Sequence, residues 1–132
     1  MQRKNREIVN PPKVFSAEGF THAVIAEGNK TVYLSGQLPW DENFQVVGEG
    51  DLIKQTRQVF ENIQHILDDI GATWDNVVKT TIYTTKPYEG EAIARTKHEF
   101  LNGVASPAET LIGVDSLASP DCMIEIEAIA VM

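Results

Sequence analysis

The stretch Met123-Ile124-Glu125-Ile126-Glu127-Ala128-Ile129-Ala130-Val131 constrains the fold most. In an extended strand successive side chains point to opposite faces. Ile124, Ile126, Ala128 and Ala130 therefore take one apolar face, which must pack under helices. Met123, Glu125, Glu127, Ile129 and Val131 take the other. That second face carries two carboxylates roughly 7 Å apart and turns apolar again at Ile129. Periodicity alone favours a solvated outer face. The sharper reading covers it with another subunit, leaving Glu125 or Glu127 to line a cleft as a general base or water holder.

The helices that would cover the apolar face are legible upstream. Leu52, Thr56, Val59/Phe60, Ile63, Ile66/Leu67 and Ile70 recur at three- and four-residue spacing, one stripe with Lys54, Arg57, Glu61 and Asp68 on the wet side. Asp51 is placed to cap the start and Gly71 to end the helix in the left-handed conformation. A weaker helical pattern over residues 89–101 puts Ile93, Thr96/Lys97 and Phe100 on one side.

Between and around them, β-branched runs predict strands at residues 22–27, 31–35, 77–85, 109–115 and 123–131, with a further short strand at 44–47. Gly28-Asn29 predicts a tight turn pairing the first two as a hairpin. Pro11-Pro12 makes residues 1–12 extended or flexible. Strand, helix, strand over 77–115 predicts a right-handed parallel crossover. The order is β-β-α-β-α-β-β, an α+β sandwich of two layers. Two helices cover only one sheet face, so the other needs polar residues or a partner.

The 132 residues suit one domain, residues 1–132, with no internal repeat. No apolar run is long enough to span a membrane, and the start has no secretion-signal pattern. A single cysteine, Cys122, excludes an internal disulfide and fits a reducing, cytoplasmic setting. The net charge of -8 argues against nucleic acid as a partner. Arg3, Lys4 and Arg6 form one small basic cluster without interleaved aromatics.

Few other residues carry chemistry. His22, His65 and His98 are scattered, so no metal site is expected. Ser35-Gly36 ends a strand, and Gly36 permits close backbone approach to a ligand, but no Gly-x-Ser-x-Gly elbow makes Ser35 a nucleophile. Glu109, after Pro107, would approach the carboxylates of the last strand if the two strands were neighbours.

Tyr33-Leu34-Ser35-Gly36-Gln37-Leu38-Pro39, Gln55-Thr56-Arg57-Gln58, Val77-Val78-Lys79-Thr80-Thr81 and Ile124–Val131 together resemble the reactive intermediate deaminase (Rid, or YjgF) family, in consistent order from about Asn10 onward. The resemblance implies a chorismate-mutase-like fold with a six-stranded mixed sheet, and a homotrimer whose clefts between subunits take a small-molecule ligand. It also implies hydrolysis of 2-imino and enamino acids without metal or cofactor. Carried over position by position, Glu125 matches a water-holding glutamate, Ser35 and Gly36 a turn lining the cleft, and Leu111 a position whose strand lends backbone groups. The family arginine that clamps the substrate carboxylate falls on Glu109. The cleft tyrosine falls on Phe20, and an asparagine of the second helix on Ala94.

These departures change the expected clientele. Exchanging a guanidinium for a carboxylate turns charge-assisted attraction into repulsion, a swing of several kcal/mol at about 4 Å and an effective dielectric near 20. Phe20 lacks the tyrosine's hydroxyl. The sequence thus predicts a weak 2-imino-acid deaminase and a substrate that is cationic or neutral. Three readings compete, in this order: an enzyme acting on another activated C–N bond, a metabolite-binding or regulatory trimer without turnover, and, distantly, a ribonuclease. Arg57 or Arg95 is left open as a substitute cation.

Overall fold

The computed structural model describes residues 5–132. Six strands and two helices follow in order: β1 (Arg6–Val9), β2 (Ala23–Ala26), β3 (Thr31–Gln37), α1 (Leu52–Ile70), β4 (Val77–Thr84), α2 (Gly90–Leu101), β5 (Ala108–Gly113) and β6 (Ile124–Val131). The fold is α+β, as expected. The six strands, however, divide into a four-stranded sheet of order β3-β6-β4-β5 and a separate pair, β1-β2. Of the basic cluster at the start, Arg3 and Lys4 lie outside the described residues. Arg6 is a strap whose guanidinium donates to the carbonyls of Val77, at 2.7 Å, and Ala105, at 2.6 Å.

Helix α1 begins and ends where its caps predict. The Asp51 carboxylate accepts from the Lys54 N–H, and Gly71 adopts φ 75°. Its stripe buries Val59, Phe60, Ile63 and Leu67 against Ile82, Ile124 and Ile126. Burying each such side chain contributes about 1.5–3 kcal/mol. The alternation of β6 is realised: Ile124, Ile126, Ala128 and Ala130 are all buried under the helices.

The hairpin expected across Gly28-Asn29 does not form. β2 pairs with β1, while β3 pairs antiparallel with β6. The reason is a competing contact. The Asn29 and Lys30 N–H groups both donate to the Met132 carbonyl. A Cβ on Gly28 would sit 2.7 Å from Val131 Cγ1 and 2.8 Å from the Met132 carbonyl oxygen, so this glycine serves close approach to the end of β6, not a turn. The short strand at 44–47 is also absent; only an isolated bridge, Trp40 to Val46, occurs there. The parallel crossover is present, with β4 and β5 paired in register from Lys79–Ala108 to Thr84–Gly113. No helix among the described residues is long and apolar enough to cross a membrane.

Candidate functional site

The first group of site residues lies on β3 and β6. Leu34 pairs with Ala128 but Gln37 pairs with Ile126, so β3 carries one extra residue there, a bulge at Ser35-Gly36. The bulge brings the Gly36 backbone under the Glu125 carboxylate. A Cβ at Gly36 would lie 2.2 Å from Glu125 Oε2 and 2.8 Å from Cδ. Only glycine allows this approach. The entry to β6 is fixed by buried Gln55 of α1, whose Oε1 accepts from the Met123 N–H at 2.7 Å and whose Nε2 donates to the Asp121 carbonyl at 2.8 Å.

Glu125 is half-buried on the face away from the helices. Loss of solvent raises its pKa above the ordinary 4.5, and the neighbouring charge of Glu127 raises it further. Glu127 in turn accepts from the Tyr83 hydroxyl at 2.9 Å, a contact that holds the Tyr83 proton and raises its pKa. This carboxylate pair thus contains one member bonded to a phenol and one poised above its usual range.

The second group lines a cavity of about 610 Å³ at the outer edge of β5, among whose walls are Phe20, Ala94, Glu109, Leu111 and Lys79. Phe20 is held edge-on by His22, ring centroids 5.3 Å apart. Leu111 is 37% exposed and gives the wall an apolar side. Glu109 is not a free carboxylate. Its Oε2 accepts from Thr80 Oγ1 at 2.8 Å and its Oε1 from Lys97 Nζ at 3.0 Å. The Lys97 ammonium also donates to the Gly19 carbonyl. The cationic preference expected from Glu109 is therefore corrected: its charge is cancelled inside the protomer.

The structure brings Phe20, Glu109 and Leu111 together, and separately Ser35, Gly36 and Glu125. It does not bring the two sets to one place. β5 and β6 are not neighbours, because β4 lies between them. Glu109 aligns with Thr80, which faces the helices, and Glu125 with Tyr83, which faces away. Neither open arginine reaches the cavity's wall: Arg57 pairs with Glu99 and Arg95 with Glu91, both on exposed surface. Among the described residues no cluster of three or more His, Cys, Asp or Glu side chains is arranged for a metal ion. Sequence reasoning missed Lys97 and Thr80 as partners of Glu109. The signal was a lysine on the inner stripe of a helix, a position that demands a counter-charge.

The family model described as Endoribonuclease L-PSP matches residues 12–132. A RutC family protein of Pyrococcus abyssi is 32% identical over 125 residues, covering 95% of this chain and 96% of the relative. The 3-aminoacrylate deaminase RutC of Acinetobacter baylyi is 36% identical over 104 residues, 79% of this chain and 81% of that protein. A Rid-family protein of unknown function from Yersinia pestis, YyfB, superposes with TM-score 0.92 at 36% identity, over 97% of this chain and 99% of its own. With matching sequence across nearly its whole length and a matching fold, the chain belongs to the Rid (YjgF, L-PSP) family.

Proposed function

We propose that this protein is a Rid-family small-molecule hydrolase that cleaves an imine or enamine C–N bond in substrates other than 2-imino carboxylic acids. The observation that carries the reading is the Glu125 carboxylate seated on Gly36 with its pKa raised. There it accepts a proton from water as the oxygen attacks the imine carbon. That proton passes to nitrogen, giving a carbinolamine (an enamine first tautomerises to the imine). The hydroxyl proton then moves to nitrogen by way of the same carboxylate as the C–N bond breaks, and a carbonyl compound and ammonia leave. The relative named as a deaminase of 3-aminoacrylate, an enamine, supports the reaction class. The substrate wall is apolar at Phe20 and Leu111 and carries no guanidinium to clamp a carboxylate bidentately, which supports a substrate other than a 2-imino carboxylic acid.

The two groups of site residues meet only if two protomers do. The sheet face away from the helices supports this: Tyr33 is 77% exposed beside half-buried Ile129, and Ile112 is 39% exposed beside Tyr83. A homotrimer covers these residues and sets the Glu125 of one protomer against the β5 cavity of the next. Light scattering then returns three times the protomer mass.

Glu125→Gln is the direct test. Imines lacking a carboxylate, generated in situ by oxidising primary amines with an amine oxidase and O2, are expected to release ammonia faster with the protein than without it. In the variant that acceleration falls by on the order of 10²–10⁴-fold. Unchanged turnover sinks the mechanism. Wild-type turnover is expected to rise with pH through a value above 4.5, since the base is the ionised form. Stability moves the other way. A carboxyl whose folded pKa is raised loses stability as pH rises through that pKa. Glu125→Gln is therefore expected to melt higher than wild type at neutral pH, the gap closing as pH falls below 4.5.

Freshly generated iminopyruvate is expected to be hydrolysed poorly, because Glu109 stands where relatives are expected to carry the carboxylate clamp. Hydrolysis equal to that of arginine-containing relatives refutes this. The second reading, binding without turnover, draws on Phe20 having no hydroxyl and Glu109 having both oxygens engaged. Thermal stabilisation by an imine whose release of ammonia the protein does not accelerate would establish it.

A further inference from the structure

Lys97 sits on the inner stripe of α2 with its side chain 1% exposed, and Glu109 beside it is 11% exposed. Lysine is almost never buried so completely without a partner. Here the ammonium donates to Glu109 Oε1 and to the Gly19 carbonyl, while Thr80 donates to the other Glu109 oxygen. Four parts of the chain are tied by this knot: α2, β4, β5 and the loop that carries Phe20. The cavity wall also contains Lys79, which makes no ion pair among the described residues and donates to Thr110 Oγ1 at 2.9 Å. The remaining wall carboxylate, Glu18, is exposed and bonded to Ser16.

We propose that Lys97 is a specificity-determining residue: by cancelling Glu109 it closes the cavity at the β5 edge to organic cations. This rests on the reading that the cavity takes the ligand. Without the ammonium, the Glu109 carboxylate would face the cavity unpaired and recruit a cation. Without the carboxylate, the ammonium would recruit an anion. With both removed, the wall would again be neutral on that side, since the two charges act only through each other.

The test uses the full chain as wild type, Lys97→Met, Glu109→Gln and the double variant, each titrated with n-propylammonium, propionate and propanamide. These three probes share size and differ in charge. Binding is read by ligand-observed NMR at low ionic strength, where charge selectivity is least screened. Wild type is expected to bind propylammonium no better than propanamide. Lys97→Met shifts the ratio at least tenfold toward propylammonium, Glu109→Gln at least tenfold toward propionate, and the double variant returns to the wild-type ratio. A wild type that prefers propylammonium overturns the proposal, as does Glu109→Gln without a gain for propionate. Should Lys97→Met fail to fold, Glu109→Gln against the double variant carries the same comparison. Turnover is not read, so failure of the Glu125 mechanism and failure of this charge assignment are told apart.

Discussion

Lys97→Met is expected to destabilise the protein by about 3–5 kcal/mol, because it leaves the Glu109 carboxylate buried without its counter-charge. For a chain of this size that lowers Tm by roughly 10–20 °C. The loss is large against the total stability of about 5–15 kcal/mol that domains of this kind possess, yet it leaves a folded population at low temperature. The Lys97→Met, Glu109→Gln double variant is expected to recover most of the loss, because both desolvated charges are then gone and only the hydrogen bonds to Gly19 and Thr80 change. Chemical denaturation of the four proteins gives the coupling directly. A double variant as unstable as the sum of the singles would show that the two side chains do not act as a pair.

Gly36→Ala is expected to separate the site from the fold. The new Cβ would fall 2.2 Å from Glu125 Oε2 and no more than 3.0 Å from Glu125 Cδ and Cγ. All three atoms belong to a flexible side chain that can swing away, so stability falls by no more than about 1 kcal/mol. The carboxylate nevertheless leaves its seat, and a displacement of an ångström at a catalytic group costs about 10²-fold in rate. A carbon-13 titration of the Glu125 carboxyl reads the same movement without a substrate. In the variant its pKa returns toward the ordinary 4.5, because the desolvation that raises it is relieved. Wild-type titration and turnover in Gly36→Ala would refute the seat.

Much of this was legible in the sequence because it depends on local pattern. The α1 caps, its inner stripe and the two faces of β6 follow from spacing and side-chain chemistry alone. What was not legible depends on distant partners. The two runs flanking Gly28 each found another strand, because Met132 occupies the Asn29 and Lys30 N–H groups that a hairpin turn would have organised. Glu109 reads as a free acid until α2 is laid beside β5. Its neutralisation needs Lys97, twelve residues away, to be turned inward. Periodicity placed that lysine on the packed side of the helix, and its burial there called for a counter-ion that the sequence did not single out.

The position of β6 has a consequence for how the molecule is made. Translation produces β6 after the other five strands, yet in the sheet it lies between β3 and β4. Until residues 124–131 leave the ribosome, β3 has no hydrogen-bonded neighbour in the four-stranded sheet, and β4 holds only the parallel partner on its other side. Closing the gap joins residues 31–37 to residues 124–131, a long-range pairing of the kind that slows folding. A nascent chain stalled before β6 exposes two unpaired strand edges at once, the kind of edge that invites pairing with another chain.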